Sequence, residues 1–188
     1  FPKYVQDKAV VIPNPIKSGL PLRFSGIRKK KIVNFCRLEP QKNLYLLIDA
    51  FQLVLREHPS YTLSIYGEGS ERTRLEQYIK RKKLDNKVFL KGFRENIHEL
   101  IYDSAMFVSS SDYEGLSNSM LEAMAMGLPT ISTDCPSGGA RMVIVNNVNG
   151  ILTPVGDRQS LYEAIQRIIE SQTLSTTLSI NAAMISDD

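Results

Sequence analysis

The chain has 188 residues, is 43% hydrophobic and 23% charged, and carries a net charge of +3. That length suits one ordinary domain with a packed core, and the composition excludes a disordered segment, a collagen-like chain and a disulfide-stapled miniprotein. Two cysteines, Cys36 and Cys135, stand far apart and outside any CxxC or CxxH spacing, which argues against a structural zinc and suits a reducing compartment.

Apolar, β-branched runs predict strands at 10–12, 32–36, 62–66, 88–90, 106–108, 130–132 and 150–152. The polar stretch Lys17–Lys31 reads as a loop before the main sheet. From Asn43 to His58, Leu44, Leu47, Ile48, Phe51, Val54 and Leu55 recur with a helical period. Further helices are predicted over Glu71–Lys82, Ile97–Tyr102, Asn118–Met126, Arg141–Asn146 and Asp157–Glu170. Alternation of short strands with helices implies an α/β fold, a parallel sheet covered by helices on both faces. The chain reads as one domain: a leading strand and loop over 1–31, a core over 32–170 and a terminal segment over 171–188. No uncharged apolar run approaches the ~18 residues that span a bilayer, and the first residues lack the apolar core of a signal peptide.

Open parallel sheets bind ligands beyond the carboxyl ends of their strands, so the residues that follow each strand are the candidates. Arg37 follows the strand at 32–36 and Lys42 directly precedes a helix. A cation at a helix N-terminus opposes the helix dipole, and an anion held there relieves the conflict. Two solvated loop cations are the alternative. Between Gly115 and Leu128 the only charge is Glu122, on a helix otherwise apolar nearly all round. Such a helix is buried, and a carboxylate on it costs several kcal/mol unless it finds partners. Those partners are a ligand or a structural salt bridge. Ser117 or Asn118 fits the N-cap, Gly115 lets the backbone approach a ligand, and the first-turn amides can hold phosphate. Glu114 and Glu122 would flank that ligand, and ionised carboxylates accept well from sugar hydroxyls.

Gly67-Glu68-Gly69-Ser70 begins like a dinucleotide fingerprint but has Arg72 where the third glycine belongs. His58 and His98 both fall in helices, and surface roles are expected for each. The basic runs Arg28–Lys31 and Lys80–Lys83 read as solvated faces, with contact to anionic lipid as the alternative. Neither run carries an aromatic platform, so no nucleic-acid partner is expected.

These residues together resemble the C-terminal half of a retaining GT-B glycosyltransferase of family 4. The resemblance rests on Glu114-x7-Glu122, Arg37-x4-Lys42 and Tyr66-Gly67-Glu68-Gly69. Ile12-Pro13-Asn14-Pro15, Gly92-Phe93-Arg94-Glu95-Asn96, Cys135-Pro136-Ser137-Gly138-Gly139 and Asn149-Gly150-Ile151-Leu152-Thr153-Pro154 fit it as well. The set runs in order from about Val11 to Ile169. It implies a Rossmann-like, nucleotide-sugar-binding domain, with an acceptor-binding N-terminal domain outside this chain. It also implies roles for single residues. Arg37 and Lys42 contact the diphosphate, and Glu122 holds the ribose. Glu114 lies beside the donor sugar, the Leu116-Ser117-Asn118 backbone near sugar and phosphate, and Gly92, Phe93 and Arg94 near the base. Gly67 and Gly69 let the donor approach. No metal or further cofactor is expected.

The implied activity is transfer of a hexose or N-acetylhexosamine from a nucleotide diphosphate sugar, UDP-linked by the likeness of the Cys135–Gly139 loop, to a glycan or lipid-linked acceptor. The implied location is cytoplasmic, with peripheral contact at the membrane's cytoplasmic face left open for the full-length enzyme. The alternatives are a nucleotide-sugar-binding module without transfer and a GT-B sugar-nucleotide epimerase, the latter opposed by the paired glutamates. Three positions depart from the family pattern. Cys36 stands where glycine is common and would crowd the diphosphate. Met142 replaces a usual glutamate. Asn147 replaces a usual glycine, although asparagine also tolerates a left-handed turn.

Overall fold

The computed structural model describes residues 2–6, 8 and 15–186. The strand expected at 10–12 lies outside them, as does all but Pro15 of the segment 12–15. The elements in chain order are α1 (Lys3–Gln6), β1 (Lys29–Phe35), α2 (Leu44–Glu57), β2 (Thr62–Tyr66), α3 (Arg72–Arg81), β3 (Val88–Leu90), α4 (Ile97–Ile101), β4 (Ser104–Ser109), α5 (Asn118–Ala125), β5 (Thr130–Thr133), β6 (Ile151–Thr153), α6 (Arg158–Glu170) and α7 (Gln172–Ala183).

The described residues form one six-stranded, all-parallel sheet of order β3-β2-β1-β4-β5-β6. Consecutive strands march outward from β1 in one direction and from β4 in the other. The order reverses between β1 and β4, and a crevice opens where connections leave for opposite sides. Register aligns the strand ends: Phe35 pairs with Tyr66, Ile65 with Leu90, Ser109 with Ser132 and Thr133 with Thr153. The segments after every strand therefore meet along one edge.

Side chains of a strand alternate between faces, and both faces of this sheet are buried. Ile32, Leu63, Ile65, Met106, Val108, Ile131 and Ile151 share one core with the apolar sides of α2, α3 and α6. Val33, Phe35, Tyr66 and Phe107 face the other, with Ile101 of α4 and Met120, Ala123 and Met124 of α5. The continuous β-branched character of the strands follows from this two-sided burial.

Three expectations are corrected. The stretch to Lys31 is not all loop: Lys29–Lys31 open β1, with Lys31 paired to Thr62 and Lys29 to Ser104. The helix expected over Arg141–Asn146 is a single 3-10 turn, Ala140–Met142, followed by irregular chain. There Asn149 stops helix growth, since its Oδ1 accepts from the Val145 amide and its Nδ2 donates to the Val143 carbonyl. Asn147 does take the left-handed conformation, at φ 63°. The third correction concerns the terminal segment, which contributes to the core: Leu178 and Ala182 of α7 are fully buried.

Candidate functional site

The edge of the sheet at the carboxyl ends of β1, β2 and β3 is built by backbone contact between loops. After β1, the Cys36 amide donates to the Tyr66 carbonyl at 3.0 Å and the Leu38 amide to the Glu68 carbonyl at 2.9 Å. After β2, the Gly67 amide donates to the Gly92 carbonyl at 2.9 Å. Such close stacking needs glycine. Gly67 sits at φ 130°, and a Cβ there would lie 1.9 Å from the Cys36 carbonyl oxygen; at Gly69 it would lie 2.4 Å from the Leu38 oxygen. The two glycines of the weak fingerprint thus bring the β1 and β2 loops together, and Gly67 also lines the cleft that results. The cleft, of about 380 Å³, lies among Phe35, Cys36, Arg37, Tyr66, Gly67 and Glu68, with Phe93, Arg94 and Ile97 on the β3 side. Its size falls within the range of small-ligand sites. Gly92 is buried at φ 70°, so the chain turns and leaves Phe93 and Arg94 exposed.

A second set of contacts joins the loops after β1 and β4. Pro40–Lys42 forms a 3-10 turn, and Asn43 caps α2 through Oδ1, which accepts from the Leu46 amide. The Asn43 amide group also donates to Asp112 Oδ1 at 2.7 Å, and Ser110 Oγ donates to the carbonyls of Lys42 and Asn43. Lys42 is thereby held at the crevice, where Nζ pairs with Glu114 Oε2. Ser137 Oγ donates to the Glu114 carbonyl, and a Cβ at Gly139 would lie 2.1 Å from the Gly115 oxygen. The Cys135–Gly139 loop thus packs on the Glu114–Gly115 loop. Arg37 is exposed at the cleft and forms no ion pair among the described residues.

Cys36 records how these charges cluster. Burial pushes its thiol up to about 12; Lys42 and Arg37 oppose the shift and Glu114 adds to it. The three charged candidates therefore all act on one half-buried thiol of the cleft wall. Cys135 is raised as well, chiefly by burial, and its Sγ donates to the Ser111 carbonyl at 3.2 Å.

Helix α5 follows the expected pattern. Ser117 stands at the N-cap without a side-chain cap bond, its Oγ lying 3.0 Å from Ser119 Oγ, while Leu116 packs against the second core and Asn118 is exposed. Met120, Leu121, Ala123 and Met124 are buried. Glu122 has the structural partner weighed for it: Oε2 lies 2.8 Å from His98 Nε2. His98 is therefore not a surface residue. Its signal was the lone carboxylate of an apolar helix, but the partner stands 24 positions earlier.

The basic runs are likewise more engaged than a solvated face. Arg28 donates to the carbonyls of Tyr102, Ser104 and Gly127, Lys29 pairs with Asp103 and Lys31 donates to the Leu100 carbonyl. In the second run, Lys82 pairs with Asp49 and Arg81 lies over the Tyr78 ring. Away from the crevice, Glu57, His58 and Glu170 bring possible metal-ligating atoms within 4.8 Å of one another. Both carboxylates there already accept hydrogen bonds, Glu57 from Tyr162 and Gln166 and Glu170 from Gln166. Among the described residues, no helix is long and apolar enough to cross a membrane.

Comparison with known proteins agrees with this geometry. An uncharacterized glycosyltransferase of Methanocaldococcus jannaschii is 31% identical over 99% of the chain, which covers 52% of that protein. The crystal structure of a single-residue mutant of Staphylococcus aureus TarM in complex with fondaparinux, α-GlcNAc-glycerol and UDP superposes with a TM-score of 0.86 at 27% identity, covering 97% of this chain and 38% of TarM. Anabaena HepE in complex with UDP-glucose gives 0.78 at 30% identity, covering 85% of this chain and 44% of HepE. The chain thus spans about half the length, or less, of these proteins. Residues 24–184 match the family of glycosyl transferases group 1, and the chain belongs to that family, with the Rossmann-like fold of the C-terminal domain of GT-B glycosyltransferases.

Proposed function

We propose that this chain is the donor-binding half of a retaining glycosyltransferase and holds a UDP-linked hexose or N-acetylhexosamine. A glycan or lipid-linked acceptor would enter from a part of the enzyme outside this chain. The observation that carries the reading is that the loops after β1 and β4, at the reversal in strand order, place Arg37 on the cleft and pair Lys42 with Glu114, four residues before α5. UDP in the TarM structure and UDP-glucose in the HepE structure support this choice of donor.

The chemistry follows from charge. Breaking the anomeric C–O bond leaves negative charge on the diphosphate. Arg37, Lys42 and the first-turn amides of α5 would stand where that charge develops, and the scheme invokes no metal. Phe93 and Arg94, which line the cleft, and Gly92, which turns the chain before them, would meet the base, and Glu122 the ribose. Glu114 would position the donor sugar and favour positive charge at its anomeric carbon, without acting as a nucleophile. Such an oxocarbenium-like ion pair, attacked from the face the leaving group departs, retains configuration. Catalysis at the cytoplasmic face of a membrane fits a lipid-linked acceptor.

Calorimetry of the chain with UDP, GDP, ADP and uridine tests the reading. UDP should bind, and Arg37→Ala should weaken UDP about tenfold or more while leaving uridine unchanged, because only the diphosphate needs the guanidinium. Equal binding of UDP by the wild type and Arg37→Ala would move the phosphate elsewhere.

A further inference from the structure

His98 lies on the single-turn helix α4 and is 8% exposed. Its Nε2 sits 2.8 Å from Glu122 Oε2. Its ring meets the Phe35 ring edge-on, with centroids 6.2 Å apart and planes at 87°. Phe35 and Ile97, the residue before His98, both line the cleft. His98 therefore touches both a residue of the cleft wall and the one charged residue of α5.

We infer that His98 is a positioning residue for nucleotide recognition: it holds the Glu122 carboxylate in the orientation that receives the ribose hydroxyls. This rests on the donor-binding reading above. A carboxylate held through one oxygen presents the other in a set direction. An imidazole suits the task better than an ammonium or guanidinium would. Its ring is rigid and reaches Glu122 through a single nitrogen, so it engages one carboxylate oxygen and leaves the other to accept from a hydroxyl. Outer partners of this kind fix metal-ligating side chains by the same physics. The packing of Phe35 on the ring keeps the imidazole from swinging away, and couples its placement to the cleft wall.

A purely structural tie between α4 and α5 would use the same contact, so the test must read recognition apart from stability. The ratio of affinities for UDP and 2′-deoxy-UDP does this, because the two differ only at one ribose hydroxyl. The wild-type chain should favour UDP about tenfold, the scale of one hydrogen bond to a charged group. His98→Leu should bring the ratio to within about twofold of unity, while His98→Gln, whose amide can place an N–H near the position of Nε2, should largely restore it. If His98→Leu does not fold, His98→Asn serves, since its shorter amide cannot reach Glu122; it too should lose the preference. A lowered melting temperature with an unchanged ratio in these variants would overturn the inference and leave a structural tie. Equal wild-type affinity for the two nucleotides would also overturn it while sparing the donor-binding reading. Failure of the wild type to bind either nucleotide would overturn both.

Discussion

Lys42 and Glu114 pair directly across the crevice, ammonium to carboxylate, from the loops that follow β1 and β4, the two strands flanking the reversal in strand order. The pair is partly shielded from water, with side-chain exposures of 12% and 25%. An arriving diphosphate must share Lys42 with this carboxylate and endure its repulsion. Glu114→Gln removes both obstacles and keeps the shape. It should raise UDP affinity by about 1 kcal/mol, roughly fivefold, while Lys42→Met should lower it by at least as much. In the full-length enzyme the same Glu114→Gln change should slow transfer. Titration calorimetry on the three proteins checks the first part. Weaker UDP binding by Glu114→Gln would place Glu114 among the groups that hold the nucleotide.

Much of this arrangement was legible in the sequence, and its gaps have physical causes. Strands β2 and β3 fall on their predicted residues because each is a short apolar run ended by a turn. The start of β1 was hidden because Lys29–Lys31 look like loop, and pairing with the neighbouring strands overrides that appearance. Helix α7 was hidden because serine and threonine blur its period; Ser175, Leu178, Ser179 and Ala182 form its buried side. The false helix at 141–146 came from Met142, Val143, Ile144 and Val145, of which Met142 and Val145 point to solvent at 60% exposure each. Of the site, the charged residues of single loops could be found. The partner of Glu122 could not, because it is set by the packing of α4, α5 and Phe35 and by no local pattern.

Glycine positions separate structural from ligand-facing roles. At Gly67 the φ of 130° is open to glycine alone, and an added Cβ meets the Cys36 carbonyl. Gly67→Ala should cost about 3 kcal/mol or more, since neither backbone can yield without losing the Cys36–Tyr66 hydrogen bond. At Gly115, in contrast, nothing lies within 4 Å of an added Cβ and φ is ordinary. Gly115→Ala should hold stability to within about 0.5 kcal/mol. If Gly115 serves donor approach, UDP affinity should fall even so. Urea denaturation beside calorimetry distinguishes the two, and a large stability loss in Gly115→Ala would contradict the open space seen there.

Both cysteines should resist alkylation in the native state. A thiolate is the nucleophile, and burial holds the Cys36 thiol up at about 12, so at pH 8 almost none is ionised. Cys135 is raised in the same direction and is buried. Iodoacetamide at pH 8 should therefore modify the two residues slowly in the folded chain and rapidly in urea. Bound UDP should leave the slow rate unchanged or slow it further. Fast labelling of Cys36 in the folded chain would show a thiolate stabilised by Lys42 and Arg37 beyond what burial opposes.

Arg28 decides what the first basic run is for. Its Nη1 donates to the Tyr102 and Ser104 carbonyls at 3.0 and 3.1 Å, and its Nη2 to the Gly127 carbonyl and Ser179 Oγ at 2.7 and 2.9 Å. One guanidinium thus joins the ends of α4 and α5, the start of β4 and the middle of α7. Burial, with Arg23 nearby, pulls it down to about 10, so it remains charged at neutral pH. Arg28→Ala leaves several carbonyls without their donor and should cost about 3 kcal/mol. Arg28→Lys should recover less than half of that, since an ammonium cannot span acceptors placed for a planar fork. Lys29 and Lys31 are held by Asp103 and the Leu100 carbonyl, while Lys30 stays exposed, so three of the four cations of the run have partners within the chain. Chemical denaturation of the three proteins, with sedimentation against vesicles containing anionic lipid, settles the matter. A variant as stable as the wild type that also loses vesicle binding would return Arg28 to a surface role.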